Sequence, residues 1–310
     1  MRLFSLYKIR QKFKQKLLKI TFNNHPGYKN FVTVSNLGRN GRLGNQLFQY
    51  AAARAYSIKH NVPIILPIEE HNRMSEFKLK CKYIEKKHLD LLEITTFKEQ
   101  NHHYDKSIFK KYDKYDLDGY FQTEKYFKDI RNQLLDDLIP KKNSINNYCK
   151  KFIRDLKNNH PGKIIVSLHN RRGDNVPSKK KYSDPKLGIY REDKGLFHPL
   201  MDPNYFKNAK EKFENCIFLF FSDTKEDIEW SKSNMNDENT LFSENHDDIT
   251  DLFLMKNCDH NIISNSSFSW WGAWLNENPN KRVFAPRKWF GEAYNNINLK
   301  DLIPRTWNIL

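Results

Sequence analysis

An imidazole, two guanidinium groups and a carboxylate lie within six residues in His169–Asp174 (HNRRGD). The apolar, β-branched run Lys163–Leu168 leads into them and is typical of a buried parallel strand. Open α/β sheets bind ligands at the carboxyl edge of such strands. The planar guanidinium groups of Arg171 and Arg172 suit phosphate oxygens, and Gly173 lets the backbone turn or approach closely. The pattern predicts a phosphate site, with a surface turn that contains a local Arg–Asp pair as the alternative.

A second apolar run ends in polar residues further along the chain. Cys216–Phe221 is continuously apolar and is followed at once by Ser222 and Asp223. It predicts another buried parallel strand, which places Asp223 at the same kind of sheet edge. Asp247–Lys256 predicts a helix, and Asp251 lies within it.

A serine-rich stretch precedes a tryptophan-rich one. Asn261–Ile263 predicts a short strand, and Ser264–Ser269 (SNSSFS) then places four hydroxyls and one amide at the predicted N-terminus of a helix. Such a helix end donates backbone N–H groups, and its dipole favours anions. The alternative is that one serine caps the helix and the others are solvated. The helical spacing of Trp270, Trp271 and Trp274 predicts that they pack in the core.

A glycine-rich loop near the start of the chain joins a predicted strand to a predicted helix. Phe31–Ser35 predicts the strand, residues 36–46 contain three glycines, and residues 47–56 have apolar residues at helical spacing. A second strand at Val62–Leu66 completes a βαβ unit. The loop matches neither the dinucleotide fingerprint nor the P-loop, so an anion site and a tight βα turn both remain open.

Length and composition predict folded domains. The chain has 310 residues, of which 38% are hydrophobic and 14% aromatic, which suits two ordinary domains or one large α/β unit and excludes a disordered protein. Pro161 and Gly162 predict a boundary near residue 160. This divides the chain into a leader at 1–30, a first domain at 31–160 and a second at 161–310.

Cysteine and histidine spacing predicts neither disulfides nor a metal site. The cysteines form no CxxC pair, and the scattered histidines have no metal-ligand spacing. We therefore expect a reducing, cytoplasmic location and no metal. The cysteines are Cys81, Cys149, Cys216 and Cys258.

Nearly half of the net charge of +16 lies in residues 1–20 of the leader. Residues 1–20 contain seven basic residues and no acidic one, which leaves 46 basic against 37 acidic residues in the rest. Their apolar residues fall on one helical face, which is typical of a helix that lies on anionic membrane surfaces; a helix packed on its own domain or a solvated leader is the alternative. Charges interrupt the segment too often for it to span a bilayer. Because the other basic residues form no recognised binding motif, a nucleic-acid binder is only a remote alternative.

Taken together, the motifs resemble the bacterial α-1,2-fucosyltransferases of glycosyltransferase family eleven. The resemblance covers roughly residues 31–310, and its strength lies in the joint presence of the motifs in order. The motifs are Gly41–Ala51 (GRLGNQLFQYA), His169–Asp174, Phe221–Asp223, Asp251–Met255 with Ser264–Asn276, Ala285–Phe290 and Asp301–Pro304.

The resemblance implies a GT-B fold, in which two Rossmann-like α/β domains face a cleft. The domain at 31–160 would lie on the acceptor side, and the domain at 161–310 would bind the GDP-sugar. The resemblance also implies inverting, metal-independent transfer of L-fucose from GDP-β-L-fucose to the 2-hydroxyl of a terminal galactose in a surface glycan such as an O-antigen. No cofactor is implied. A transferase of the same architecture that uses another GDP-sugar or makes another linkage is the alternative.

By analogy with that group, Arg171 would bind the β-phosphate, with Arg172 close by. His169 and Asp251 would face the guanine. The remaining donor contacts would come from Asn45, Asp223, Ser266 and Ser267.

The general base is open between Asp174 and His169, the carboxylate and the imidazole nearest to the arginines. Late deprotonation, with an oxocarbenium-like sugar that needs little help from a base, is the alternative. The sequence departs from the family pattern at Asn170, where a hydrophobic residue is usual, and at Asn175, where an aromatic one is common. Both differences would change the shape of the acceptor side.

Overall fold

The computed structural model describes residues 26–173, 182–184, 189–191, 198–294 and 298–310. Most of the leader, together with Asp174 and Asn175, lies outside the described residues. Contacts divide the chain into two compact units. The first unit runs to Ile139 and includes Lys300–Leu302, and the second contains Pro140–Leu299 and Ile303–Leu310.

The first unit contains a five-stranded parallel sheet in the order β3-β2-β1-β5-β4. Because the order of strands reverses between β1 and β5, this is the unit's topological switch point, where the loops of neighbouring strands diverge and leave a crevice. The strands are β1 Phe31–Thr33, β2 Ile64–Ile68, β3 Cys81–Glu85, β4 Thr95–Lys98 and β5 Lys114–Asp118, and the helices are α1 Leu43–His60, α2 Lys86–Leu89 and α3 Arg131–Asp137.

The second unit contains a six-stranded parallel sheet in the order β10-β9-β6-β11-β12-β13. Counted along the chain this is 3-2-1-4-5-6, the order of dinucleotide-binding sheets, with its switch point between β6 and β11. The strands are β6 Ile164–Asn170, β9 Cys216–Ser222, β10 Thr240–Phe242, β11 His260–Ile262, β12 Val283–Ala285 and β13 Asn308–Ile309; β7 Tyr182–Asp184 and β8 Ile189–Arg191 form a separate antiparallel pair. The helices are α4 Asn143–Asn159, α5 Pro203–Lys210, α6 Lys225–Met235, α7 Asp248–Asn257 and α8 Ser267–Leu275.

The predicted α/β class, with two Rossmann-like units as in GT-B proteins, is confirmed. The central strands of the second unit are apolar along their length because both faces of the sheet are covered. Val166, Leu168 and Phe220 belong to this core. The core prediction for the tryptophans is also confirmed, since all three of α8 are buried and their rings contact one another.

The division between the units falls at Ile139 rather than near residue 160. The reason is that α4 packs within the second unit. The Cys149 thiol of α4 donates to the Thr250 carbonyl of α7 at 3.5 Å, and Lys157 forms an ion pair with Asp259 at 2.6 Å. The boundary predicted from Pro161 and Gly162 therefore marks the start of β6 and not the start of the unit.

Candidate functional site

Strand β6 continues two residues beyond its predicted end at Leu168. His169 pairs in register with Phe221, and Asn170 pairs with Ser222. His169 and Asn170 are each 3% exposed, so the imidazole is part of the sheet edge and not of a surface loop. Arg171 is the first residue after the strand.

The buried hydroxyl of Ser264 connects the two strands of the switch point. Ser264 follows β11, and its Oγ lies 2.9 Å from Nδ1 of His169. The same oxygen accepts the backbone N–H of Arg171 at 3.2 Å. The His169 ring also contacts Phe268, with centroids 5.7 Å apart. Imidazole and arginine backbone are therefore fixed together at the place where sheets of this topology bind nucleotides.

Asp223 shapes the turn that carries the arginines. Its Oδ2 lies 3.5 Å from Nε of Arg171 and accepts the backbone N–H of Arg172 at 3.1 Å. Gly173 adopts φ +36°, and a Cβ there would lie 2.9 Å from the Asp223 Cβ. The turn therefore requires glycine both for its conformation and for the close approach of the aspartate.

The side chain of Arg172 packs on helix α6. Its guanidinium carbon lies 3.4 Å from the Trp230 ring centroid, and its Nε lies 3.4 Å from Asp227 Oδ1. The other Asp227 oxygen accepts the backbone N–H of Gly173 at 2.8 Å and the Thr224 hydroxyl at 3.0 Å. Thr224 in turn caps the helix, as it accepts the N–H of Asp227. Arg172 thus has a cation–π contact and an ion pair that join its loop to α6.

The residues of the serine-rich stretch have different structural roles. Ser266 is the N-cap of α8, where its Oγ accepts the N–H of Phe268 at 3.3 Å, and Ser267 is the first, partly exposed residue of the helix. The Asn265 amide donates to the carbonyls of Pro199 and Trp289. One serine caps the helix, as the simpler interpretation predicted, but the others are not all solvated, since Ser264 and Ser269 are buried and Ser264 binds β6. The N-terminus of α8 follows the β11 edge and directs its N–H groups there.

Asp251 lies on the same sheet edge but at a different strand. It is in the first turn of α7, where its Oδ1 accepts the Ser243 hydroxyl at 2.8 Å and lies 3.6 Å from Nδ1 of His246. Desolvation by burial raises the pKa of Asp251 above its ordinary value, although the bonds from His246 and Ser243 act in the opposite direction. Ser243 follows β10, which β9 separates from β6, so Asp251 is displaced from Arg171 by about two strand spacings, roughly 10 Å.

Asn45 belongs to the switch point of the first unit. Its Oδ1 accepts the Gln122 amide at 2.8 Å, and Gln122 follows β5. Gly41, with φ +93°, lies against Asn45, since a Cβ there would lie 2.1 Å from the Asn45 Nδ2. The glycine loop is therefore a tight turn closed over an amide, as one of its two interpretations predicted.

Two further amides of α1 anchor the neighbouring loops. Gln46 donates to the carbonyls of Gly41 at 3.2 Å and His71 at 2.9 Å, and Gln49 donates to the Gly119 carbonyl at 2.9 Å. Both glutamines are buried. Sequence reasoning did not identify these residues, or Gln122, as site residues. For Gln46 and Gln49, the signal available in the sequence was a polar amide on the buried face of an apolar helix.

The structure groups the predicted residues in three places. His169, Arg171 and Asp223 lie together with Ser264 and the α8 N-terminus, Asp251 lies further along that edge, and Asn45 lies in the first unit. Among the described residues, no group of three or more His, Cys, Asp or Glu side chains is arranged to bind a metal ion. In the same part of the chain, no helix is both long and apolar enough to cross a membrane.

Comparison with known proteins identifies relatives over most of the chain. Residues 7–308 match the model of glycosyl transferase family 11. An alpha-1,2-colitosyltransferase of Escherichia coli is 27% identical over 89% of this chain and 98% of its own. The O-antigen biosynthesis glycosyltransferase WbnK of the same species is 31% identical over 57% of this chain and 55% of its own.

More distant similarities extend to eukaryotes. Galactoside alpha-(1,2)-fucosyltransferase 2 of Pongo pygmaeus is 24% identical over 76% of this chain and 67% of its own. Among solved structures, Arabidopsis thaliana FUT1 in complex with GDP aligns over 87% of this chain and 73% of its own, with a TM-score of 0.49 and 10% identity.

Proposed function

We propose that this chain, which belongs to glycosyltransferase family 11, transfers L-fucose from GDP-β-L-fucose to the 2-hydroxyl of a terminal galactose in a surface glycan. The acceptor oxygen attacks the anomeric carbon as the bond to the β-phosphate oxygen breaks. GDP leaves, the configuration inverts from β to α, and the acceptor proton passes to a base. The reaction is proposed to need no metal.

The observation that carries this proposal is the fixed group of His169, Arg171 and Ser264 at the switch point between β6 and β11. A departing nucleoside diphosphate develops negative charge on its β-phosphate. A guanidinium and the N–H groups of a helix N-terminus stabilise such charge, and preorganised donors lower the barrier because they need no rearrangement. Arg171 and the first turn of α8 supply these groups.

Asp251 is the proposed guanine ligand. A carboxylate accepts two parallel N–H bonds, which matches the N1–H and N2–H edge of guanine. Its displacement of roughly 10 Å along the edge from Arg171 suits a nucleotide that lies across the carboxyl ends of the strands. Burial of a carboxylate whose pKa is raised costs stability, which is more readily explained by a binding role than by a structural one.

The proposal leaves two groups as candidates for the base. His169 is buried and bonded through Nδ1 to Ser264, which favours a binding role for its imidazole. Asp174 lies outside the described residues and is the carboxylate nearest to Arg171 in sequence. We therefore favour Asp174 as the base.

A second donor is favoured by one specific comparison. The relative that is 27% identical over 89% of this chain is named for transfer of colitose, which is L-fucose without its 3-hydroxyl. Competition between GDP-fucose and GDP-colitose separates the two donors, because a site that bonds to the 3-hydroxyl rejects the sugar that lacks it.

The deciding experiment is transfer from labelled GDP-fucose to lactose in EDTA, with the linkage determined by NMR. An α-1,2 product supports the reaction, the donor and metal independence together. Tight GDP binding without transfer from GDP-fucose would reject the fucose donor or the lactose acceptor and retain the nucleotide site. The absence of both transfer and GDP binding would reject the proposed function.

A further inference from the structure

The switch point of the first unit contains a strained turn. Phe121 follows β5 by three residues and adopts φ +55°, although it is not glycine and its side chain is completely buried. Such a conformation persists only where the surroundings impose it, and it is commonest at functional sites.

Glu99 holds this turn from the neighbouring strand. It follows β4, and its Oε2 accepts the backbone N–H groups of Tyr120 at 2.6 Å and Phe121 at 3.1 Å. The backbone of Gly119 packs directly on it, since a Cβ there would lie 2.4 Å from the Glu99 Cβ. One carboxylate thus accepts two successive backbone N–H groups of the strained turn.

The turn sets the position of an amide pair. Gln122 is the next residue, and its amide donates to Oδ1 of Asn45 at 2.8 Å. Residues from the helix after β1 and from the loops after β4 and β5 therefore meet at one point of the carboxyl edge. Tyr120, at the same turn, is 38% exposed.

This arrangement has the chemistry of saccharide recognition. Each side-chain amide carries both a donor and an acceptor, which matches a sugar hydroxyl that donates and accepts at once. An aromatic ring beside a few placed polar groups is typical of small-molecule sites, and the switch point is where sheets of this kind bind ligands.

We propose that Glu99 is a positioning residue for the acceptor: it fixes the Tyr120–Phe121 turn so that Gln122 and Asn45 bind hydroxyls of the acceptor saccharide. This inference rests on the proposed function for the identity of the saccharide as a galactoside. It changes the role predicted for Asn45 from donor binding to acceptor binding. Glu99 itself acts only through the turn.

The test compares Glu99→Ala, Glu99→Gln and Gln122→Ala with Glu70→Gln, which alters an exposed carboxylate of the same unit. We expect Glu99→Ala and Gln122→Ala to raise the acceptor KM about 10-fold or more, the usual effect of losing buried hydrogen bonds to a ligand. GDP affinity by calorimetry should be unchanged. Glu99→Gln should be intermediate, because one amide oxygen can still accept both N–H groups. Glu70→Gln should match the wild type.

An unchanged acceptor KM in Gln122→Ala, or a parallel loss of GDP affinity, would overturn the inference while the proposed function stands. Gln122→Ala keeps the turn intact, so it is informative even if Glu99→Ala does not fold.

If the wild type transfers nothing from GDP-fucose, saturation-transfer NMR with lactose and GDP provides the readout. A lactose signal that Glu99→Ala and Gln122→Ala lose and Glu70→Gln keeps supports the inference. Equal signals in all variants, or no signal in the wild type, overturn it.

Discussion

Two adjacent arginines that are indistinguishable in the sequence have different surroundings in the fold. Arg171 contacts Asp223 at the sheet edge, whereas Arg172 is enclosed between Trp230 and Asp227 of α6. The first is therefore proposed to act on the donor phosphate. The second holds the loop that presents the first.

The two arginines should separate activity from stability. Arg171→Ala should lower turnover on the order of 10²–10³-fold, as loss of one preorganised charge donor does. Its melting temperature should stay close to the wild-type value, because a partly exposed ion pair contributes at most about 1 kcal/mol. Arg172→Ala should lower the melting temperature, because it loses a cation–π contact worth about 0.5–2 kcal/mol and leaves Asp227 without its cation. Initial rates at saturating substrate and thermal unfolding, measured for both variants, test these predictions. Wild-type turnover in Arg171→Ala would contradict the proposed role of Arg171 on the donor phosphate.

A pH dependence is expected at Asp251. Burial raises its pKa, so the folded state disfavours the charged form, and the cost to stability grows as the pH rises from the ordinary aspartate pKa of about 3.9 through the raised one. Asp251→Asn should thus unfold at higher urea than the wild type at neutral pH, and the difference should vanish below about pH 3. The amide oxygen can still accept the Ser243 hydroxyl, while GDP affinity should fall. Urea titrations at both pH values measure the stability difference, and calorimetry measures the GDP affinity. A variant less stable than the wild type at neutral pH would contradict the prediction.

At the scale of elements, a glycine in the loop after β1 and a glycine in the turn before β6 offer a matched pair of substitutions. Gly41 and Gly162 both have positive φ, +93° and +78°, but a Cβ on Gly41 would lie 2.1 Å from the Asn45 amide, whereas the nearest atom to one on Gly162 is 4.0 Å away. Gly162→Ala should lose about 1–2 kcal/mol from backbone strain alone. Gly41→Ala should lose more and should also impair transfer by displacing Asn45. Urea unfolding and initial rates compare the two variants. Equal losses of stability, with full activity in both, would show that the contact between Gly41 and Asn45 is unimportant.

The elements that carry the site were largely predictable from the sequence, but their partners were not. Apolar runs that end in charge predicted β6 and β9, and the serine-rich stretch predicted a helix start without identifying Ser266 as its cap. The partnership of Ser264 with His169 spans 95 residues and that of Gln122 with Asn45 spans 77, so only the topology brings them together. Strands β3 and β4 were not predicted, because they are short and largely exposed.

The unit boundary was misplaced for a related reason. Helix α4 has one buried face formed by Cys149, Ile153 and Leu156. Such a pattern predicts a helix with one face packed on the protein core, but it does not indicate which unit supplies that core. The Pro-Gly turn after α4 was the only local signal, and it marks a connection within the second unit.

At the scale of the whole molecule, charge is distributed unevenly. The chain carries +16, and residues 1–20 contribute seven of its basic residues. The two α/β units contain the residues proposed to bind donor and acceptor, so none of the proposed chemistry depends on the leader. We propose that the leader brings the enzyme to the inner face of the membrane, where it would meet a growing surface glycan.

Deletion of residues 1–20 tests this proposal. The truncated chain should lose binding to vesicles that contain phosphatidylglycerol, because each basic residue near an anionic surface contributes about 1 kcal/mol. Binding of the full chain should weaken in high salt and be absent on neutral vesicles. A full-length variant with Lys12, Lys14, Lys16 and Lys19 replaced by Gln retains the apolar face and so separates charge from burial of apolar side chains. Turnover on soluble lactose should survive the deletion, whereas a truncated chain that still co-sediments with the anionic vesicles would place the membrane contact elsewhere in the protein.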